Sequence, residues 1–369
     1  MRLFQNAGLY PTYRMRLRNL TARCATYSEH LDKFLADGYG SMHILQPVLQ
    51  RQPDAFFTNG DDDTAQKVWA LEQGMPRKST REDILLAQIE QHRTEVFYNT
   101  DPMTFPSTFV NRLPGGVRQR IAWRAAPSGD TDFRAYDLMV CNFPGILDGY
   151  RRNGMRAAYF APAFDSEMAP YVANNSRPID VVFVGSFSRH HSRRTQILSA
   201  VAGLSSRHAV AIHLESSRLT ALAESPFGRC FVPAKYRRPP VLRSIAKPPA
   251  FGRELYKILS RAKIVVNAAI DMAGQDRGNI RCFETMGAGA LLLSDVGRYP
   301  AGMADGVTMR TYSDTAELVK TIESLLSSPV ELESIASRGH EMLVTEYSKA
   351  RQWADFQELV GGLEQRQRA

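Results

Sequence analysis

The residues best equipped for chemistry crowd into one stretch, 263–295, which reads K-I-V-V-N-A-A-I-D-M-A-G-Q-D-R-G-N-I-R-C-F-E-T-M-G-A-G-A-L-L-L-S-D. Between two apolar runs it sets Asn267, Asp271, Gln275, Asp276, Arg277, Asn279, Arg281 and Glu284. Carboxylates, carboxamides and guanidiniums so grouped can hold a polar ligand. A second set follows the apolar run 181–184, with Gly185, Ser186, Arg189, His190, Arg193 and Arg194 in order. There a glycine permits a tight turn, and small residues with cations at a helix start make a natural anion site. The turn is neither a G-x-G-x-x-G nor a Walker pattern. The simpler alternatives are an ordinary strand–helix–strand unit with a polar loop, and a solvated basic turn. A third group, Asp61-Asp62-Asp63, could hold Mg²⁺ or Mn²⁺. Adjacent aspartates before a helix more commonly cap its free N–H groups, and that reading is preferred.

The elements that must position these groups follow from periodicity. Ile264–Val266 and Leu291–Leu293 are continuous apolar runs, as suits strands covered on both faces of a parallel sheet. The loop between them then emerges at a strand's carboxyl end, where open α/β sheets keep their ligands. In the first half, strands are expected at 2–9, 55–59, 95–99, 120–123, 137–141 and 156–160. Helices are expected near 21–36, 42–51, 63–73, 81–92, 105–113 and 144–153. Thr80 with Asp83 reads as a capping box. Such alternation argues a doubly wound parallel sheet. Residues 166–179, polar with Pro170 and Pro178, read as a linker. A second alternating series follows, with strands at 181–184, 210–214, 229–232, 264–266, 291–293 and 307–311. Its helices fall near 192–203, 252–262, 313–327 and 331–345. A last helix, 349–365, places Trp353, Phe356, Val360 and Leu363 on one packing face.

Composition bounds the rest. A chain of 369 residues, 44% apolar and 23% charged, suits two soluble globular domains. Its longest apolar runs are about six residues, against roughly 20 needed to cross a bilayer. No leader-like segment opens the sequence, and Cys24, Cys141, Cys230 and Cys282 are scattered, so a reducing cytoplasm is expected. Between residues 235 and 263 stand nine Lys or Arg against Glu254 alone, so this segment carries the whole net charge of +8. A solvated face is the simplest outcome. Contact with diphosphate or with an anionic membrane surface ranks next, and specific nucleic-acid binding last, because few aromatics interleave the charges.

Five motifs occur in order: F-V-G-S at 183–186, G-N-I-R-C-F-E at 278–284, G-A-G-A-L-L-L-S-D at 287–295, Tyr312 before a Leu-rich helix, and I-A-S-R-G-H-E at 335–341. As an ordered set over 178–350 they resemble the group 1 glycosyltransferases, and within them the spore-maturation-type branch. The resemblance implies a GT-B architecture: an N-terminal Rossmann-like domain on the acceptor side (1–165) and a C-terminal one on the donor side (180–348). The two would face a cleft, with the helix 349–369 crossing back to the first. It implies transfer of a sugar from a nucleotide-diphosphate sugar to an acceptor hydroxyl, with retention, no metal ion and no cofactor. The acceptor would be a glycan, a lipid-linked molecule or a protein.

On that resemblance the catalytic residues would be Asp276 near the sugar, with Arg194 and Arg281. Donor binding would fall to Gly185, Ser186, Arg189, His190, Arg193, Asn267, Asn279, Glu284, Gly287 and Gly289. Glu284 would take the ribose hydroxyls, since a carboxylate accepts two hydrogen bonds from a diol. The arginines would neutralise the diphosphate left by bond cleavage, and the glycines would let backbone approach it. Two positions depart from the pattern. Ala269 stands where the branch has a His, and no Lys accompanies the arginine pair, so donor or mechanism can differ from the branch norm. A sugar-nucleotide epimerase or a phosphorylase on the same architecture is the competing enzyme class. A non-catalytic basic module acting through 235–263 is the non-enzymatic one; for the enzyme itself the expected place is the cytoplasm, peripheral at the inner membrane face where 235–263 meets it.

Overall fold

The computed structural model describes residues 1–368 other than 175, 188–191 and 269–273. The chain divides into two compact units, Met1–Ala163 with Ser348–Ala369, and Phe164–Tyr347.

The first unit is built on six parallel strands: β1 (Leu3–Asn6), β2 (Ala55–Thr58), β3 (Val96–Asn99), β4 (Gln119–Trp123), β5 (Leu138–Cys141) and β6 (Ala157–Tyr159). Their order is β2-β1-β3-β4-β5-β6. Strands β1, β3 and β5 are buried at every position, which is why they read as unbroken runs. Phe4, Phe97, Phe105, Phe109 and Tyr150 belong to the core on one face. Thr80 and Asp83 form the capping box of helix Arg81–Gln91. The helix expected at 21–36 begins at Tyr27, where Thr26 and Glu29 make a second capping box, and Tyr13–Thr21 is a separate helix. The helix expected at 42–51 reduces to a 3-10 turn, Ser41–His43, and one turn at Gln46–Leu49. That expected at 105–113 is the single turn Ser107–Val110.

Helix Lys349–Arg368 completes this unit. Phe356 packs on Tyr98 and Phe160 with ring centroids 5.0 and 5.8 Å apart. Gln119 donates to the Val360 carbonyl at 2.9 Å. Buried Lys349 donates to the Ser41 carbonyl at 2.7 Å, the Ile44 carbonyl at 2.8 Å and Gln352 Oε1 at 3.1 Å.

The second unit also has six parallel strands: β7 (Ile179–Ser186), β8 (Val210–Glu215), β9 (Ala246–Lys247), β10 (Ala262–Val266), β11 (Leu291–Asp295) and β12 (Arg310–Tyr312). Their order is β12-β11-β10-β7-β8-β9. Residues 229–232, expected as a strand, instead sit at the helical turn Gly228–Phe231, and two-residue β9 forms the sheet edge. Prolines at 226, 233, 239 and 240 break up this region, so no strand of readable length survives there. The strand expected at 307–311 lies later, at β12, because residues 302–309 coil on themselves, Gly306 N–H donating to the Met309 carbonyl. Residues 166–179 carry the 3-10 turn Ser166–Met168 and the short helix Ala169–Val172. Arg177 fastens this stretch by donating to the carbonyls of Ala262 and Ala288 at 2.8 and 3.0 Å.

Candidate functional site

At the carboxyl edge of the second sheet the chain leaves β10 through Asn267 and returns through Asn279, the residue before helix Ile280–Gly287. These two side chains join each other, Asn279 Nδ2 donating to Asn267 Oδ1 at 3.1 Å. Asn267 also donates to Ser294 Oγ at 3.0 Å, and its carbonyl accepts from the Tyr312 hydroxyl at 2.7 Å. Both carboxamides, expected to touch a ligand, are thus committed to closing the loop onto β11 and β12. Cys282 beneath them is fully buried, which pushes its thiol up to about 12 and leaves it unreactive.

Two buried aspartates flank this edge, each braced by an arginine. Asp295, the last residue of β11, pairs with Arg193 at 3.2 Å, and Arg193 also donates to the Ser313 carbonyl. Asp276 pairs with Arg298 at 2.5 Å, and the segments around them form a parallel bridge. Gly297 makes this possible: a Cβ there would lie 2.7 Å from the Gln275 carbonyl. Asp276, expected to reach a sugar directly, is therefore buried with its carboxylate turned to Arg298. The arginines are the reachable partners, with side chains 54% (Arg193) and 57% (Arg298) exposed. Sequence reasoning missed Arg298 and Asp295, because each is recruited across loops rather than along one.

Arg194 behaves differently from its neighbour. It is buried and donates to the Ala268 carbonyl and, at 3.4 Å, to the carbonyl and hydroxyl oxygens of Ser186. A guanidinium held by backbone carbonyls of β7 and the β10 loop positions those loops; it was expected to act on a ligand. Gly185 and Ser186 end β7, with Ser186 exposed at the edge. Arg189 and His190 lie outside the described residues, as do Ala269 and Asp271.

Within helix Ile280–Gly287, Arg281 and Glu284 pair at 2.7 Å, one turn apart. Glu284 is buried, and that burial raises its pKa, with the Arg281 charge opposing the rise. Arg281 Nε is buried and has no hydrogen-bond partner among the described residues. Gly287 and Gly289 lie apart from this group. Gly287 packs on Phe164 and Met168, and Gly289, at φ +65°, faces Val172 and Arg177. They precede β11, whose amino end is the edge opposite to the ligand loops of a parallel sheet. An eight-residue helix, about 12 Å long, separates them from Asn279.

In the first unit Asp62 caps helix Asp63–Glu72 by accepting from Thr64 N–H at 3.1 Å, and Asp63 pairs with Arg81. Asp61 is buried, accepts from Leu9 N–H at 3.1 Å and pairs with Arg14; burial dominates and raises it to about 6. Asp101, close by, is raised for the same reason. Among the described residues no cluster of three or more His, Cys, Asp or Glu is arranged to hold a metal.

Residues 227–358 match the sequence pattern of the glycosyl transferase-like family. No curated protein sequence matches the chain. Anabaena Alr3699/HepE, solved in complex with UDP-glucose, superposes with a TM-score of 0.58 at 10% identity, covering 98% of this chain and 99% of that one. Sucrose-phosphate synthase from Thermosynechococcus elongatus gives 0.52 at 11% identity, with 98% and 99% covered. S. aureus TarM gives 0.53 at 11%, covering 76% of this chain and 59% of that one. At such identities the superpositions show the fold, which is GT-B. The chain thus pairs two parallel six-stranded sheets in the GT-B fold with the pattern of the glycosyl transferase-like family over residues 227–358.

Proposed function

We propose that the chain transfers a sugar from a nucleoside diphosphate sugar to an acceptor hydroxyl, with retention of anomeric configuration and without a metal ion. The observation that carries this is the pair of half-exposed arginines, Arg193 and Arg298, each braced by a buried aspartate at the exit of β11. A diphosphate leaving group gathers negative charge as the glycosidic bond breaks, and fixed cations that need no reorganisation stabilise that charge. Arg193 and Arg298 supply it; Asp295 and Asp276 hold them in place, so Asp276 acts through Arg298. Arg194 holds the β7 and β10 loops in register, and Ser186 borders the site. Glu284 accepts the ribose hydroxyls, with Arg281 keeping it ionised. UDP-bound relatives of the same fold support a nucleotide donor of this kind.

Titration of UDP, GDP and dTDP by calorimetry tests the reading. One of the three is expected to bind, with affinity falling about tenfold or more in Arg298→Ala, the loss of a charge-assisted contact. Glu284→Ala is expected to bind UDP or GDP more weakly and no longer to distinguish either from its 2′-deoxy form. No heat from any nucleotide rejects the proposal, as does an Arg298→Ala variant that binds as tightly as the parent. Turnover abolished by EDTA, or an inverted product by NMR, rejects the metal-independent or the retaining part respectively.

A further inference from the structure

Between β8 and β9 the chain builds a lobe of short helices, Arg218–Glu224, Gly228–Phe231 and Pro240–Ile245. Its surface is unusual in two ways. Phe227 and Phe231 stand 82% and 84% exposed, four residues apart and so on one side of their helical turn. Leu219 and Leu222 of the preceding helix are exposed as well. The lobe is also one-signed. From 216 to 253 Glu224 is the sole acidic residue, and Arg238 covers it, donating to Glu224 Oε1 at 2.9 Å. Arg218, Lys235 and Lys247, in the same stretch of chain, remain exposed.

The exposure is built in. Gly228 sits so close to the Leu222 carbonyl that a Cβ would fall 1.7 Å from its oxygen. Arg237 clamps the same turn by donating to the carbonyls of Ala223 and Val232, each at 3.1 Å. The two phenylalanines are thus held outward by a fixed scaffold.

We infer that residues 216–247 dock on an anionic lipid bilayer, Phe227 and Phe231 entering the boundary between headgroups and acyl chains while Arg218, Lys235 and Lys247 meet the headgroups. Exposed apolar area in a stretch rich in exposed cations, without uncovered carboxylates, is the surface such a membrane selects. The sequence suggested 235–263 for this contact on charge alone. The structure moves it towards the amino end, because Arg253 pairs with Glu167 and Lys263 with Asp180, and Leu255, Tyr256 and Leu259 of the intervening helix are buried.

Co-sedimentation of the full chain with vesicles tests this, using phosphatidylcholine alone and phosphatidylcholine mixed with phosphatidylglycerol. Binding is expected to the mixed vesicles, weakening as salt rises. Each Phe→Ser change is expected to reduce partitioning about tenfold, and Lys235→Glu roughly fivefold or more. Because these side chains are exposed, the melting temperature of Phe227→Ser/Phe231→Ser should match the parent's, which separates lost docking from lost folding. Equal binding to both vesicle types, no binding to either, or unchanged binding by the double variant overturns the inference. So does sedimentation showing a parent dimer that the double variant abolishes, since a second copy would then cover the surface.

Discussion

Glu284 and Arg281 form a buried pair in which the carboxylate pays the desolvation and the guanidinium offsets it. Removing Arg281 leaves the carboxylate buried alone. Arg281→Ala is therefore expected to lose about 3 kcal/mol of stability at pH 7.5, the cost of breaking a buried ion pair from one side. The sign with pH follows from the raised folded-state pKa, which the mutation raises further. The folded state then holds the proton more tightly than the unfolded chain, whose Glu titrates near about 4.3. The penalty is full above the folded pKa and fades as pH falls towards the unfolded value. Urea unfolding at pH 7.5 and pH 5 measures it; an equal loss at both would reject the assignment. Sequence spacing could find Arg281 and Glu284 because they face each other one helical turn apart. It could not find Arg298 for Asp276, or Asp295 for Arg193, since those partners meet only when separate loops converge. Nor could it tell Arg194 from Arg193: adjacent residues on a helix point to different sides, and only tertiary packing buries one of them.

Helix Lys349–Arg368 shows what an element needs beyond its own periodicity. The apolar spacing of Phe356, Val360 and Leu363 identifies the helix and its buried face. What fixes its start is Lys349, whose ammonium group donates to Ser41, Ile44 and Gln352 oxygens inside the protein. Lys349→Met keeps the volume but takes the donor from the Ile44 carbonyl, while the Ser41 carbonyl still accepts from Ile44 N–H, and should cost roughly 1–3 kcal/mol. Phe356→Ala opens a cavity beside Tyr98 and Phe160 and should cost about 3–5 kcal/mol. Chemical unfolding of each variant checks both, and a smaller loss for Phe356→Ala than for a surface substitution would contradict the packing described. At this scale most elements were legible, because strands such as β3 and β11 are buried on both faces and helices such as Thr315–Ser327 carry one apolar stripe. The failures were short pieces. Two-residue β9 is too brief to show a period, and the turn Gly228–Phe231 owes its form to the contact of Gly228 with Leu222.

Across the whole molecule, the two alternating series made the doubly wound pair of sheets readable, since most strand runs are followed by a helix. The order of strands within each sheet was not readable, because crossovers obey contacts distant in sequence. The second unit is one continuous segment, so Phe164–Tyr347 expressed alone is expected to fold with a single cooperative thermal transition. A chain ending at Tyr347 should keep that transition and lose the one belonging to the first unit. Circular dichroism melts distinguish the two, and a truncated chain with both transitions intact would refute the division.

The same discontinuity has a consequence for synthesis. Tyr98, Gln119 and Phe160 emerge from the ribosome early, but the helix that covers them is made only after the whole second unit. At about 5–20 residues per second the interval between Ala163 and Ser348 lasts roughly 10–40 s. During it the nascent first sheet carries an uncovered aromatic seat while the second can already close. Newborn chains should therefore depend on chaperones most in that window, and slowed translation after Ala163 should lengthen the dependence.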